Sequence, residues 1–312
     1  MALKPEVKTY LAQREALGLP VVWQAPLTEV RASTLLHVAL SQPLIEIFEV
    51  EKRTITGPSS KLPIRIYRPN FLKVNPALVF FHGGGWVLNF LDIYEPALRK
   101  LAKLSNLVVI AVEYQKAPEH PFPAPFNDCF STLEWVINNA SQLGIDHNKI
   151  GVGGDSAGGN LAAAVAIKAR DIKLIDLAFQ LLIYPCNDKN MKYESAEKFS
   201  ENYGLTTRAM KWFWNQYLSN QKYENDPYAI PSTAQSLTGV APAIIFTAEF
   251  DPLVDDGKNY YLKLKKDLVD CVYKEFGGQI HGFFNLSGVT GDAELLYSEI
   301  AQQINLILES AR

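Results

Sequence analysis

Leu107-Val108-Val109-Ile110-Ala111-Val112 is apolar at every position. A short unbroken run of this kind reads as a strand covered on both faces, because both alternating sets of side chains must avoid water. Further strands are predicted over residues 77–81, 149–153, 179–184, 243–248 and 271–276, with the run at 107–114 among them. Two earlier segments, 45–56 and 61–68, alternate instead, and Gly57-Pro58-Ser59-Ser60 separates them. That pattern predicts an antiparallel hairpin at a sheet edge. Helical periodicity occupies the intervals near 94–104, 127–139, 157–170, 254–268 and 292–308. Strand and helix in alternation predict an α/β fold: an open, mostly parallel eight-stranded sheet with helices on both faces.

Two segments break the alternation. Residues 1–44 begin with an amphipathic helix whose Leu3, Val7, Tyr10, Leu11 and Leu17 share a face, stopped by Gly18-Leu19-Pro20. Residues 187–235 lie between two strands and contain a second helical stretch, 206–218, with Trp212, Phe213, Trp214 and Tyr217. A structureless loop of that length is improbable in a compact domain. Both segments are therefore expected to form a helical cap over one end of the sheet, with 45–186 and 236–312 as the main domain. Core packing explains the aromatic stripe as well as substrate contact does.

Composition narrows the function. The 312 residues are 48% hydrophobic and 20% charged, which excludes a disordered, collagenous or coiled-coil chain. A net charge of -3 offers no electrostatic footprint for nucleic acid or an anionic membrane. Cys129, Cys186 and Cys271 lie far apart, without the CxxC or histidine spacing of a zinc site. They read as small hydrophobes in a reducing compartment. With charges through the first twenty residues and no apolar stretch near the ~18 to 20 residues of a membrane span, the expectation is a cytoplasmic protein without stable membrane insertion.

The chemistry concentrates in two glycine-rich motifs. Gly154-Asp155-Ser156-Ala157-Gly158-Gly159 follows a predicted strand and opens a predicted helix. The G-x-S-x-G pattern in that context is a nucleophile elbow, where glycines let strand and helix meet without a Cβ clash. His82-Gly83-Gly84-Gly85 directly follows the strand at 77–81. Backbone N–H groups there can face an oxyanion, and each such donor is worth ~3 to 4 kcal/mol. Gly83 and Gly84 are expected to supply two N–H groups and Ala157 a third. The loop lacks the GK[ST] of a P-loop and the spacing of a dinucleotide fingerprint.

A serine nucleophile needs a base. Of the five histidines only His281 follows Ser156, as the order serine, acid, histidine of this fold class requires. His37 falls in the N-terminal segment, His147 in a predicted loop before the elbow strand, and His120 in a proline-bounded turn. The acid should end a strand between the two. Asp251, held outside the next helix by Pro252, is preferred over Glu249, Asp255 and Asp256, the last two being placed for first-turn duty. Its part is to fix the tautomer of His281 and stabilise the imidazolium.

Together these blocks resemble the hormone-sensitive-lipase-like carboxylesterases of the α/β-hydrolase fold, over nearly the whole chain. HGGG at His82–Gly85, GDSAGG at Gly154–Gly159, DPL at Asp251–Leu253 and HGF at His281–Phe283 carry the likeness, with APEHPFPA at 117–124. The resemblance implies a triad of Ser156, Asp251 and His281, the oxyanion donors named above, and no cofactor or metal. It also implies pocket positions at Tyr184, Leu205 and Phe213, and a possible homodimer through the last strand. The chain departs from the pattern at Glu113-Tyr114-Gln115-Lys116, where the family carries an arginine. It departs again at Asn89-Phe90 and Glu95, which implies a bulkier pocket rim. The expected activity is hydrolysis of short- to medium-chain esters. An amidase, deacetylase or lactonase would use the same triad, and a non-catalytic small-molecule receptor would share the fold.

Overall fold

The computed structural model describes residues 2–41, 43–71 and 74–310. Among them, eight strands form one sheet: β1 (Glu49–Thr56), β2 (Lys61–Arg68), β3 (Asn75–Phe81), β4 (Val108–Val112), β5 (Ile145–Asp155), β6 (Gln180–Ile183), β7 (Ala243–Phe250) and β8 (Cys271–Ile280). Their spatial order is β1-β2-β4-β3-β5-β6-β7-β8, parallel from β4 to β8. The β1–β2 hairpin pairs antiparallel, and β2 also meets β4 antiparallel. The reversed strand is therefore the second one, not the edge.

Period-two alternation sorts the core into two layers. Val79 and Phe81 of β3 join one apolar cluster, while Leu78 and Phe80 join the other. The first cluster is closed by the helices Ala124–Asn138, Ala157–Asp171 and Val254–Lys266. The second is closed by Leu91–Ser105 and Gly291–Ser310. Ile93, Ala97, Leu98 and Leu101 on the first of these two helices are all buried, at the spacing of one helical face.

Boundaries shift in instructive ways. β5 begins at Ile145, so His147 lies within the elbow strand rather than in a loop before it. β8 continues through Gly277 and Gly278 to Ile280, which brings His281 to the end of the strand. The first helix, Pro5–Ala16, buries Val7 and Tyr10, but Leu17 lies beyond its last turn and is 65% exposed. The second aromatic helix, Thr207–Tyr217, is capped by Thr206, whose hydroxyl accepts the Ala209 N–H at 3.0 Å.

Candidate active site

Ser156 sits between β5 and the helix Ala157–Asp171 with φ 56° and ψ -120°, a conformation that side chains other than glycine rarely adopt. Its neighbours hold it there. The Ser156 N–H donates to the Ile183 carbonyl at 2.8 Å. A Cβ at Gly154 or at Gly158 would press into the Phe81 carbonyl oxygen, so only glycines permit the crossing of strand and helix against β3.

The end of β8 brings His281 to this turn. Its Nε2 is 2.8 Å from Ser156 Oγ, and its Nδ1 is 2.7 Å from Asp251 Oδ2. A carboxylate can only accept, so Nδ1 carries the proton and Nε2 accepts from the serine hydroxyl. Asp251 is fully buried after β7, and its other oxygen accepts the Leu253 N–H at 2.9 Å. The three residues singled out from the sequence thus form one hydrogen-bonded line.

The competing carboxylates work elsewhere. Asp255 accepts the Ser195 N–H at 2.8 Å, and Asp256 accepts those of Asn187 and Asp188 at 2.8 and 3.0 Å. Both anchor the segment that follows β6. Glu249 accepts the Gly278 N–H at 2.8 Å, across the β7–β8 pair.

The glycine loop differs from expectation by one residue. Gly83 N–H is directed into the protein, 2.8 Å from Asp155 Oδ1 and 2.9 Å from the Tyr94 hydroxyl, and so is not available to a substrate. Gly84 and Gly85 instead line the cavity with Ser156 and His281. Their N–H groups, like that of Ala157 at the helix start, have no partner among the described residues. His82 Nδ1 donates to the Gly83 carbonyl at 2.8 Å. A trans peptide is planar, so holding that carbonyl turns the Gly84 N–H the opposite way. Tyr114 stacks on His82 at 4.3 Å and donates to its carbonyl at 2.7 Å. Burial pushes the His82 imidazole down to about 4, which keeps the ring neutral.

Asp155 is a carboxylate to which the sequence motifs assign no role. It is buried between the elbow and the glycine loop, contacted by Gly83 N–H, Tyr94 and Tyr184. Burial pushes it up to about 6, against the opposing pull of Gly83 N–H and of a charged His281. Tyr184, expected to line the pocket, lies fully buried instead. Its ring packs 4.5 Å from His281, and its hydroxyl points to Asp155 at 3.4 Å. It supports the site from below.

The cavity above Ser156 measures about 240 Å³ and is walled by Leu205, Met210 and Phe213 from one segment and by Val30 from the other. It falls below the ~300 to 1,000 Å³ of usual small-molecule pockets. Leu205 and Phe213 thus line the cavity, and Tyr184 does not. The rest of the aromatic stripe packs: Tyr217 stacks on Trp86 at 4.2 Å, and Trp214 meets it at 4.5 Å. Trp86, which the sequence reading left out, ties the glycine loop to that helix. A wider surface depression of about 520 Å³ beside Pro63, Arg65 and Glu113 contains none of the three aligned residues.

The departures from the family pattern are locally resolved. Gln115 bonds Asp128 from both its N–H and its side chain, at 2.9 and 3.1 Å. Glu113 pairs with Lys116 and accepts the Leu91 N–H at 3.0 Å. Arg31 reaches in from the N-terminal segment, grips Glu119 at 2.8 and 2.7 Å and caps the Val87 carbonyl at 2.9 Å. Asn89 does stand at the rim, donating to Tyr94 at 3.2 Å, whereas Glu95 turns away to Arg65 and Arg99. Among the described residues, no three His, Cys, Asp or Glu side chains converge to hold a metal ion.

Residues 78–285 match a family model described as the alpha/beta hydrolase fold. The chain is 37% identical over 259 residues to a carboxylic ester hydrolase, LipN, of Mycobacterium tuberculosis, spanning 81% of this chain and 69% of that protein. It is 32% identical over 284 residues to an arylesterase of Saccharolobus solfataricus, 91% and 92% of the two chains. A hyperthermophilic esterase from the archaeon Pyrobaculum calidifontis superposes with a TM-score of 0.92 at 38% identity, over 99% of each chain. An ester hydrolase from the metagenome of Lake Arreo superposes with a TM-score of 0.95 at 33% identity, over 98% and 99%.

Proposed function

Because the chain belongs to the α/β-hydrolase fold family, in its hormone-sensitive-lipase-like branch, we propose that it is a serine carboxylesterase acting on short- to medium-chain esters. The observation that carries this reading is the hydrogen-bonded line from Ser156 through His281 to Asp251, at 2.8 and 2.7 Å, beneath a small apolar cavity.

His281 Nε2 takes the Ser156 proton as Oγ attacks the ester carbonyl. The oxyanion forms opposite Gly84, Gly85 and Ala157, whose N–H groups are already aimed and need no reorganisation. The imidazolium, stabilised by Asp251, protonates the departing alcohol and leaves an acyl-Ser156. Water deprotonated by the same histidine then releases the acid and restores the hydroxyl. Residues 1–44 and 187–235 act as a cap, since both contribute walls to the cavity over Ser156. The limited volume of that cavity supports short acyl or alcohol groups.

Free cysteines fit a cytoplasmic protein. No helix among the described residues is long and apolar enough to cross a membrane. The outer edge of β8, which no other strand among the described residues covers, is where a homodimer would form.

The test is hydrolysis of p-nitrophenyl esters from acetate to palmitate by the protein and its Ser156→Ala variant. The expected result is a maximum at short or medium chains that vanishes in the variant. A folded wild type that turns over no ester would remove the reading.

A further inference from the structure

We propose, building on the esterase reading, that the substrate is an ester carrying a carboxylate remote from its scissile bond, bound by Arg14. What carries this is a cation in the substrate cavity that has no counter-ion among the described residues. Of the arginines in the described residues, Arg31, Arg53, Arg65, Arg68, Arg99 and Arg170 each pair with a carboxylate. Arg208 lies over the Trp23 ring at 4.7 Å. Arg14 has no such partner among the described residues.

Its position gives that exception meaning. Arg14 lines both the cavity that holds Ser156 and the outer depression that opens beside it. Its guanidinium stands over Gly204, where a Cβ would lie 3.0 Å from Nη1 and 3.8 Å from the side chain of Ile280, the residue before His281. Among the described residues that line it, the inner cavity offers Arg14 no free acid. Asp155, the carboxylate there, has its oxygens committed to Gly83, Tyr94 and Tyr184. Glu15, exposed at the outer depression, makes no ion pair with it. His37, also in the wall, donates Nδ1–H to the Thr34 carbonyl at 3.0 Å, and burial together with the charge of Arg14 pushes its imidazole below the usual histidine range, against the pull of that bond.

A half-buried guanidinium loses hydration without gaining a partner, and its planar fork suits a carboxylate. A substrate that brings its own carboxylate supplies what the protein withholds. Ester bond and charge must then be separated by the span from Ser156 to Arg14, with the charge on either the acyl or the alcohol side.

The experiment measures kcat/KM by pH-stat for charged and neutral partners of equal length. Acyl-side pairs are monoethyl succinate, glutarate and adipate against ethyl butyrate, pentanoate and hexanoate. The alcohol-side pair is 4-acetoxybutyrate against butyl acetate. Arg14→Gln should lower the charged-to-neutral ratio by roughly 10- to 100-fold on one side, the worth of a charge-assisted hydrogen bond. Arg14→Lys should keep part of it, and 0.5 M salt should weaken the preference of the wild type by about several-fold. An unchanged ratio in Arg14→Gln, on both sides and at every length, would overturn the proposal. So would a wild type that refuses every charged ester while hydrolysing the neutral ones, an outcome that leaves the esterase reading standing. No turnover of either class would overturn both.

Discussion

The two halves of the site are built by different means. On the sheet side, Ser156, Gly84 and Gly85 are set by backbone conformation, and their supports Asp155, His82, Tyr94 and Tyr184 are buried. On the opposite side, Leu205, Met210 and Phe213, which the proposal assigns to a cap, present side chains from one helix and the loop before it, in a segment held by Asp255 and Asp256. Chemistry needs atoms fixed to within fractions of an ångström, which buried hydrogen bonds and close-packed backbone supply. Choice of substrate needs only a wall of suitable size and charge. Changes on the sheet side should therefore lower turnover of every ester, and changes in the cap should alter which esters are preferred.

The largest effect expected is from Ser156→Ala or His281→Ala, which should lower kcat by roughly 10⁴ to 10⁶ on every ester while the circular dichroism spectrum is kept. A loss that varied strongly with acyl length would break the comparison. Asp251→Asn should cost about 10⁴ in kcat by releasing the His281 tautomer. Asp255→Asn should cost far less, because that carboxylate holds residue 195 and not the base. If steady-state kinetics show the reverse order, the acid is misassigned.

A smaller loss, roughly 10- to 100-fold in kcat, is expected for Asp155→Asn, which loosens the glycine loop without removing an oxyanion donor. The same substitution sharpens the comparison through stability. Asp155 is raised from its ordinary 3.8 to about 6 in the fold, so the fold favours its protonated form. Its contribution to stability is therefore lost as pH rises from about 4 to about 6. His82 is lowered from 6.5 to about 4, so its contribution is lost as pH falls through the same interval. The two oppose each other in the wild type. With Asp155→Asn only the histidine remains, and Tm should fall more steeply between pH 6.5 and 4 than in the wild type. Parallel melting curves would mean that the two groups do not titrate as their burial implies.

The smallest effect belongs to the cap. Phe213→Ala removes a wall of the cavity and should move the preferred p-nitrophenyl ester towards longer chains, with about a few-fold change in kcat/KM for each. Loss of all activity would place Phe213 with the chemistry instead.

The same division decided what could be read before the structure. The elbow was legible because glycines at 154 and 158, a strand before and a helix after form one local pattern. His281 was legible because chain order leaves no other histidine after Ser156. The glycine loop was legible as a loop beside Ser156, but not which of its N–H groups face the cavity. Which N–H faces the cavity depends on the rotation of each peptide, and that rotation is set by the adjacent His82 and by Asp155, which comes from the end of the elbow strand. Tyr184 was misplaced for a related reason. It follows β6 directly with φ 36°, and its side chain packs against His281 rather than lining the cavity. Arg14 gave no signal at all in the sequence, because an arginine is remarkable only when its surroundings lack an acid.

The central claim is that Ser156 forms the covalent acyl intermediate. Treating the protein with a p-nitrophenyl alkylphosphonate, then measuring released p-nitrophenol and mapping the adduct by peptide mass, tests it most directly. The account predicts one equivalent released, one adduct on Ser156 and full loss of esterase activity. An inactivated protein with the adduct on another residue, or an active protein carrying it on Ser156, would contradict the account.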